Sequence, residues 1–168
     1  MGKYFGTDGF RGEANVDLTA QHAYKIGRFL AGYYRQVRGR RCKFVIGKDT
    51  RRSSYMLEYA LVSGLTSCGG DAYLLHVTTT PRGSYVVRTE DFDAGLMISA
   101  SHNPFYDNGI KLLNERGEKM DAETIARLEE YLDTGSPEPP LAQRDEIGRT
   151  VDYSAGRNRY MGYLISLA

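Results

Sequence analysis

The chain has 168 residues, two cysteines and a formal net charge of +1 at pH 7. This length suits about one globular domain with its own core. The near-zero charge excludes a general electrostatic attraction to nucleic acid or to a membrane surface, and we expect neither as a partner. The amino terminus lacks a signal-peptide pattern, no apolar run is long enough for a membrane span, and the cysteines lack the spacing of a disulfide framework or a metal site. We therefore expect a cytoplasmic protein.

Strand-like apolar runs alternate with helical patterns over residues 1–133. In chain order we predict a brief strand at 1–5, a helix from the Thr19 cap to about 37, a strand at 43–46, a helix from about 53 to 68, a strand at 72–77, a short helix opened by Pro81, a strand at 94–98, a hairpin over 110–120 and a helix over 122–132. This rhythm is typical of βαβ units. It predicts an α/β fold, a three-layer α/β/α sandwich around a mixed, mostly parallel sheet.

The composition changes after residue 133. Residues 134–152 are polar and rich in proline and glycine at their start, so we interpret them as a linker. Residues 153–168 follow with a helical pattern whose apolar side has nothing downstream to pack against. We predict that residues 1–133 form one domain and that 153–168 are the first helix of a truncated second domain.

Right-handed crossovers between parallel strands place the loops after residues 46, 77 and 98 along one edge of the predicted sheet. Open α/β sheets bind their ligands at this edge. The side chains that we expect on this rim are Lys48, Asp49, Arg51, Thr79 and Ser101. Two histidines away from the rim, His22 and His76, have no partner at metal-ligand spacing and are interpreted as structural.

Residues 99–111 form the most informative loop of the chain. Ser101 follows the strand at 94–98, and Pro104 biases the residue before it away from helical backbone. A second turn signal at 107–109 returns the chain and brings Lys111 back beside Ser101. A hydroxyl, an imidazole and an amine in one loop suggest phosphate or acyl chemistry. From the residues alone, a plain polar turn remains an open alternative.

A glycine-rich segment at residues 6–12 adds a second candidate site. Glycine permits close approach of the backbone to a ligand, and Thr7 and Asp8 supply polar groups. The guanidinium of Arg11 suits a phosphate, which it binds with two parallel donors. The spacing matches neither a Walker loop nor a dinucleotide-binding loop, so a simple turn stays open here too.

Three motifs taken together resemble the α-D-phosphohexomutase superfamily: Phe-Gly-Thr-Asp-Gly-Phe-Arg-Gly at 5–12, Gly-Lys-Asp-Thr-Arg at 47–51, and Ser-Ala-Ser-His-Asn-Pro through Asn-Gly-Ile-Lys at 99–111. Within it, they look most like the bacterial phosphoglucosamine mutases. The resemblance covers the first of four family domains and the start of the second. It implies interconversion of glucosamine 6-phosphate and glucosamine 1-phosphate by the whole enzyme. The same chemistry on mannose or glucose phosphates stays open, as does a freestanding, non-catalytic phosphoacceptor or interaction domain.

The resemblance also implies roles for individual residues. Ser101 matches the phosphorylated nucleophile, Lys111 the general acid/base, and His102 the catalytic loop, whereas Arg11, Thr7 and Asn103 match binders of the substrate and its phosphate. One Mg²⁺ per active site would be held by the phosphate of Ser101 and by an Asp-Gly-Asp-Gly-Asp loop that is not in this chain. We expect a phosphorylated hexosamine and the missing domains of the same enzyme as partners. The isolated chain is expected to be inactive and to self-associate through faces that later domains normally cover.

Overall fold

The computed structural model describes residues 2–168, and Met1 lies outside the described residues. The strands are β1 (Phe10–Glu13), β2 (Lys43–Lys48), β3 (Asp71–Val77), β4 (Ala94–Ile98), β5 (Asp107–Leu113) and β6 (Thr150–Asp152). The helices are α1 (Ala20–Arg38), α2 (Arg52–Ser67), α3 (Thr80–Thr89), α4 (Ala122–Thr134) and α5 (Ser154–Ser166), with a short 3₁₀ turn at Arg144–Glu146. Among residues 2–168, no helix combines the length and the apolar character needed to cross a membrane.

The six strands form one mixed sheet in the order β1-β5-β4-β2-β3-β6. The pairs β4–β2, β2–β3 and β3–β6 are parallel, whereas β5 is antiparallel to both β1 and β4. Helices α1, α2 and α4 cover one face, and α3 packs on the other, where α5 adjoins it. The predicted three-layer sandwich with a mostly parallel sheet is confirmed.

The core follows the two-residue alternation of the strands. In β2, Phe44 and Ile46 point toward α1 and α2, whereas Val45 points toward α3. Helices α1 and α2 cross closely at two glycines. A Cβ on Gly64 would lie 2.1 Å from a backbone oxygen of α1, and a Cβ on Gly27 would lie 2.5 Å from one of α2. Both positions therefore require glycine.

The strand predicted at residues 1–5 is wrong for the described residues 2–5. The amides of Tyr4 and Phe5 donate to the carboxylate of Glu129 on α4, so this segment is held by a helix and not by the sheet. The first strand is β1, which overlaps the glycine-rich segment at residues 10–12. One edge of β1 pairs with β5, from Phe10 opposite Ile110 to Glu13 opposite Asp107.

The hairpin predicted over 110–120 is only partly formed. Strand β5 already begins at Asp107 and pairs with β1 on one side and with β4 on the other. A tight turn beginning at Asn114 then brings the chain back to a single bridge between Leu113 and Lys119, and the Met120 amide donates to the Leu112 carbonyl at 3.0 Å. Most of the pairing of β5 is therefore with distant strands.

Residues 134–152, interpreted as a linker from the sequence, pack onto the part of the chain before residue 134. Strand β6 extends the sheet beside β3. The residues between α4 and β6 are held by two arginines. Arg28 donates to the Glu138 carboxylate and the Pro139 carbonyl, and Arg41 donates to the Asp145 carbonyl at 2.7 Å. The helix predicted after this segment is present as α5, whose Tyr163 stacks on Tyr85 of α3 and whose Tyr160 contacts the same ring at a tilt.

Candidate functional site

The loop between β4 and β5 presents Ser101 at the carboxyl edge of the sheet. Ser101 is exposed and has a φ of 56°, in the left-handed region that side chains rarely adopt. The turn is closed by the Ser101 amide, which donates to the Ser99 hydroxyl at 3.0 Å, and by the Asn103 amide, which donates to the Ala100 carbonyl at 3.0 Å. Strained backbone of this kind is typical of functional sites.

Two further residues predicted for the site lie beside this serine. The Ser101 hydroxyl is 3.2 Å from Nδ1 of His102, which is also exposed. Asn103 is half-buried, and its side-chain amide donates to Asp107 at 3.4 Å. The structure therefore groups Ser101, His102 and Asn103 on one turn, with the hydroxyl open to solvent.

Arg11 and Lys111 share one face of the sheet. Arg11 lies opposite Gly109 in the pairing of β1 with β5, and Lys111 is two residues further along β5. Their neighbours Phe10 and Ile110 point into the core, so the two cationic side chains project from the opposite face. The Nε atom of Arg11 is buried and has no hydrogen-bond partner among residues 2–168.

The end of β4 joins this cationic face to the serine loop. The Ser99 amide donates to the Gly109 carbonyl at 2.9 Å, and Ser99 is only two residues before Ser101. Because β1 and β4 flank β5, Arg11 and the serine loop lie on either side of Gly109. This arrangement can bind an anion at the face and expose a nucleophile at the loop.

A cleft of about 900 Å³ opens beside the carboxyl-terminal end of β5. Lys111 and Thr7 lie on its wall, and most of the remaining wall is apolar, including Phe5, Leu112, Met120 and Ile125. Thr7 is therefore brought near Lys111 and not onto the serine turn. Among the described residues, the cleft wall includes none of Arg11, Ser101, His102 and Asn103.

The strand order alone predicts that Lys48 lies free at the rim, but the structure buries it. Its Nζ lies 3.0 and 3.1 Å from the two carboxylate oxygens of Glu58 on α2, and each residue is only 2% exposed. The ring of Tyr55 covers the ammonium at 4.7 Å from its centroid. Lys48 is therefore a buried ion-pair partner and not a ligand-binding group.

Arg51 contacts the serine loop far more extensively than its sequence position indicates. All five of its N–H groups are used: Nε donates to Asp49 at 2.9 Å, and the four N–H groups of Nη1 and Nη2 donate to main-chain carbonyls. Those carbonyls belong to Ser101, Asn103, Pro104 and Asp107. The Asp-x-Arg pattern just before α2 is a local sign of this role.

Asn108 ties the far end of the same loop to α2. It is completely buried, donates to the hydroxyls of Ser53 at 2.8 Å and Ser54 at 3.0 Å, and accepts from the Gly109 amide at 2.8 Å. The hydroxyl of Ser54 donates in turn to Asp49. Both ends of the loop are therefore held by the N-cap and the first turn of one helix, α2.

The remaining side chains predicted near the rim or as structural have local roles. Thr79 is the N-cap of α3. His22 accepts from the Thr19 amide at 3.1 Å and completes a capping box at the start of α1. His76 has Nε2 at 3.1 Å from a carboxylate oxygen of Asp152 and links β3 to β6. The structural interpretation of both histidines agrees with these contacts.

Known proteins share both the sequence and the fold of this chain. Residues 2–138 match the family model of phosphoglucomutase/phosphomannomutase, alpha/beta/alpha domain I. Over its whole length the chain is 70% identical to a phosphoglucosamine mutase of Lachnospira eligens and, over 168 residues, 64% identical to one of Lachnoclostridium phytofermentans. It spans 38% and 37% of those proteins, which is little more than a third of their length.

A solved structure supports the same fold. The crystal structure of a phosphoglucomutase/phosphomannomutase family protein from Burkholderia thailandensis matches 97% of this chain and 35% of its own, with a TM-score of 0.79 and 23% identity. At that identity, the likeness shows the fold alone. The family model covers most of the chain, and we conclude that the chain belongs to the phosphoglucomutase/phosphomannomutase family, whose alpha/beta/alpha domain I it contains.

Proposed function

We propose that this chain carries the phosphoserine of a phosphoglucosamine mutase, an enzyme that interconverts glucosamine 6-phosphate and glucosamine 1-phosphate. The observation that carries the proposal is the exposed, left-handed Ser101 at the carboxyl edge of the sheet, next to a face that bears Arg11 and Lys111. The amino sugar is favoured by the 70% and 64% identity to relatives named phosphoglucosamine mutase.

In the proposed reaction, the bond from phosphorus to the Ser101 oxygen breaks as a bond to a sugar hydroxyl oxygen forms. The hydroxyl proton passes to Lys111, which acts as general acid/base. Serine then recovers a phosphoryl group from the other end of the bisphosphorylated sugar, and the proton returns to the sugar oxygen. His102, 3.2 Å from the serine hydroxyl, orients the attacking or leaving oxygen.

Binding of the phosphate is assigned to Arg11, Thr7 and Asn103. The strongest support is for Arg11, whose buried Nε lacks a partner within residues 2–168 and sits on the face shared with Lys111. A phosphate oxygen would satisfy this donor, and a buried unsatisfied donor is costly. Thr7 supplies a hydroxyl on the wall of the cleft, and Asn103 supplies an amide on the serine turn.

Family members generally use Mg²⁺, and we propose the same here. Within residues 2–168, no three His, Cys, Asp or Glu side chains come together as a metal site. A phosphate on the exposed Ser101 would be the ligand from this chain, with carboxylates supplied by the remaining domains of a longer enzyme. When bound, the ion would offset negative charge on the transferring phosphoryl group.

The remaining expectations concern partners and location. We propose a phosphorylated hexosamine and the later domains of the same enzyme as partners, and the cytoplasm as the compartment. The cleft beside Lys111 has a largely apolar wall, which supports self-association when the chain is alone. Phosphoryl transfer depends on groups placed around the phosphate, so the 168-residue chain alone is expected to show no turnover.

A chimera tests the proposed function. The chain replaces the matching amino-terminal part of the Lachnospira eligens phosphoglucosamine mutase, to which it is 70% identical. We expect the chimera to turn over glucosamine 6-phosphate and Ser101→Ala to lose that turnover. The control Ser166→Ala on α5 is expected to keep the full turnover. An active Ser101→Ala chimera would refute the phosphoserine role. Faster turnover of mannose or glucose phosphates would replace the amino-sugar assignment with the other family chemistry.

A further inference from the structure

The contact between Arg51 and the serine loop carries an inference beyond the reaction itself. We propose that Arg51 is a positioning residue, which fixes the backbone of the loop so that Ser101 is held in its reactive orientation. The inference rests on the proposed function, because it concerns the same serine. Arg51 does not touch the serine hydroxyl; it binds the Ser101 carbonyl at 2.8 Å and the Asn103 carbonyl at 3.0 Å.

The contacts from Arg51 fix the strained backbone at Ser101. Ser101 has a left-handed φ of 56°, and the next backbone torsion, its ψ, sets the direction of its carbonyl. A donor fixed on that oxygen therefore fixes the peptide plane next to the reactive side chain. The second guanidinium nitrogen holds the Pro104 and Asp107 carbonyls, so the loop cannot relax at one end and stay ordered at the other.

Only arginine can make this set of contacts. The guanidinium offers five donors in a rigid plane, and here each has an acceptor. A lysine ammonium has three donors around one nitrogen atom, so it cannot reach both pairs of carbonyls and Asp49 together. The side chain of Arg51 is 11% exposed, so water has little access to replace the lost contacts.

Asp49 fixes the guanidinium from its other side. One carboxylate oxygen accepts from Nε of Arg51 at 2.9 Å, and the other accepts from the Arg51 amide at 3.0 Å. The Asp49 amide donates to the Ile98 carbonyl at the end of β4, so the pair is anchored to the strand that leads into the loop. Because the pair is neutral overall, Arg51 acts through the placement of its donors more than through its charge.

Two variants and one control test the role. Arg51→Lys keeps the charge and loses the planar donors, and Arg51→Ala leaves a space that free guanidinium ion can enter. The control is Arg52→Lys, because the neighbouring Arg52 is exposed. In the chimera we expect a kcat about 100-fold lower for Arg51→Lys, as for a misplaced reacting group, with little change in KM for glucosamine 6-phosphate. We expect guanidinium, and not methylammonium, to restore part of the kcat of Arg51→Ala.

A second readout does not depend on activity. In the 168-residue chain, hydrogen–deuterium exchange of the peptide 99–109 is expected to become faster in Arg51→Lys and to stay unchanged in Arg52→Lys. If the unsubstituted chimera has no turnover, the proposed function fails, and this exchange measurement decides the loop-ordering inference alone. Unchanged exchange together with an unchanged kcat would overturn it. If Arg51→Lys unfolds, Asp49→Ala, which removes both oxygens that accept from Arg51, is expected to give the same results.

Discussion

Arg11 and Gly109 lie opposite each other in β1 and β5, and a Cβ on Gly109 would lie 2.9 Å from Cγ of Arg11. The same Cβ would lie 2.8 Å from the Ser99 carbonyl oxygen. Gly109 therefore lets the strand that carries Arg11 and the strand that leads to Ser101 approach from both sides. The glycine belongs to the site, although it offers no functional group.

Gly109→Ala tests this close approach. The added methyl group must displace either Arg11 or the end of β4, so we expect a loss of about 1 to 3 kcal/mol in the free energy of unfolding. We also expect turnover of the chimera to fall about 10- to 100-fold, because the phosphate-binding face moves relative to Ser101. Gly162→Ala is the control, since a Cβ there meets no atom within 4 Å. Equal stability of the two variants would contradict the explanation.

Asn108→Ala removes the buried tie between the loop and α2. The variant leaves the buried Gly109 amide without its acceptor, and we expect a cost of about 1 to 3 kcal/mol in urea denaturation. Exchange of the peptide 99–109 should also become faster. Asn158→Ala on the exposed surface of α5 is the matched control and should change neither quantity. Retained protection of the loop in Asn108→Ala would show that this tie is dispensable.

The Lys48–Glu58 pair gives a stability prediction separate from catalysis. Glu58→Gln leaves a buried ammonium without its counter-charge, for which we expect a loss of about 3 to 5 kcal/mol in urea denaturation. Replacing both residues, as Lys48→Met with Glu58→Leu, should recover most of that loss. The exposed pair of Glu123 and Arg127 supplies the control, because Glu123→Gln should cost less than about 1 kcal/mol. A Glu58→Gln variant as stable as this control would contradict the prediction.

His22 makes the stability depend on pH. Its burial, together with the charge of Lys25, lowers the pKa of His22 below the ordinary value of 6.5. The folded state therefore binds fewer protons than the unfolded state, and the stability contribution is complete above about pH 6.5 and is lost as the pH falls below it. Protonation also removes the acceptor for the Thr19 amide.

A variant that cannot titrate at position 22 separates the contribution of His22 to the pH dependence of stability from that of the other groups. His22→Gln keeps an acceptor at the same position of the capping box and cannot titrate. Between pH 7.5 and pH 5.5, we expect the wild-type chain to lose more free energy of unfolding than His22→Gln, by about 0.5 to 1 kcal/mol. Parallel pH curves for the two proteins would rule out His22 as the cause.

The elements with strong local signals are those that sequence reasoning recovers. Helix α1 begins at the predicted Thr19 cap, and β4 has the bounds of the predicted strand, because capping and a short apolar run act within a few residues. Strand β1 is missed because its four residues include a glycine and two charged side chains. Its strand character comes from pairing with β5, about 100 residues away.

In the candidate site too, local signals could be predicted from the sequence and long-range contacts could not. The strand order places Ser101 at the carboxyl edge of the sheet, and the register of β1 with β5 brings Arg11 and Lys111 to one face. The position of Lys111 beside Ser101, which the turn signals indicate, stays a prediction. The burial of Lys48 and the contacts of Arg51 could not be predicted in this way. Both depend on the exact position of α2 above the sheet, and the carbonyls bound by Arg51 lie about 50 residues further along the chain.

The most direct test of the central claim is a mass measurement on the chimera after incubation with glucosamine 1,6-bisphosphate and Mg²⁺. The proposed function requires the gain of one phosphoryl group that fragmentation assigns to Ser101 and that glucosamine 6-phosphate then removes. A chimera that never carries phosphate on Ser101, or that carries it without transferring it to the sugar, would contradict the proposed function.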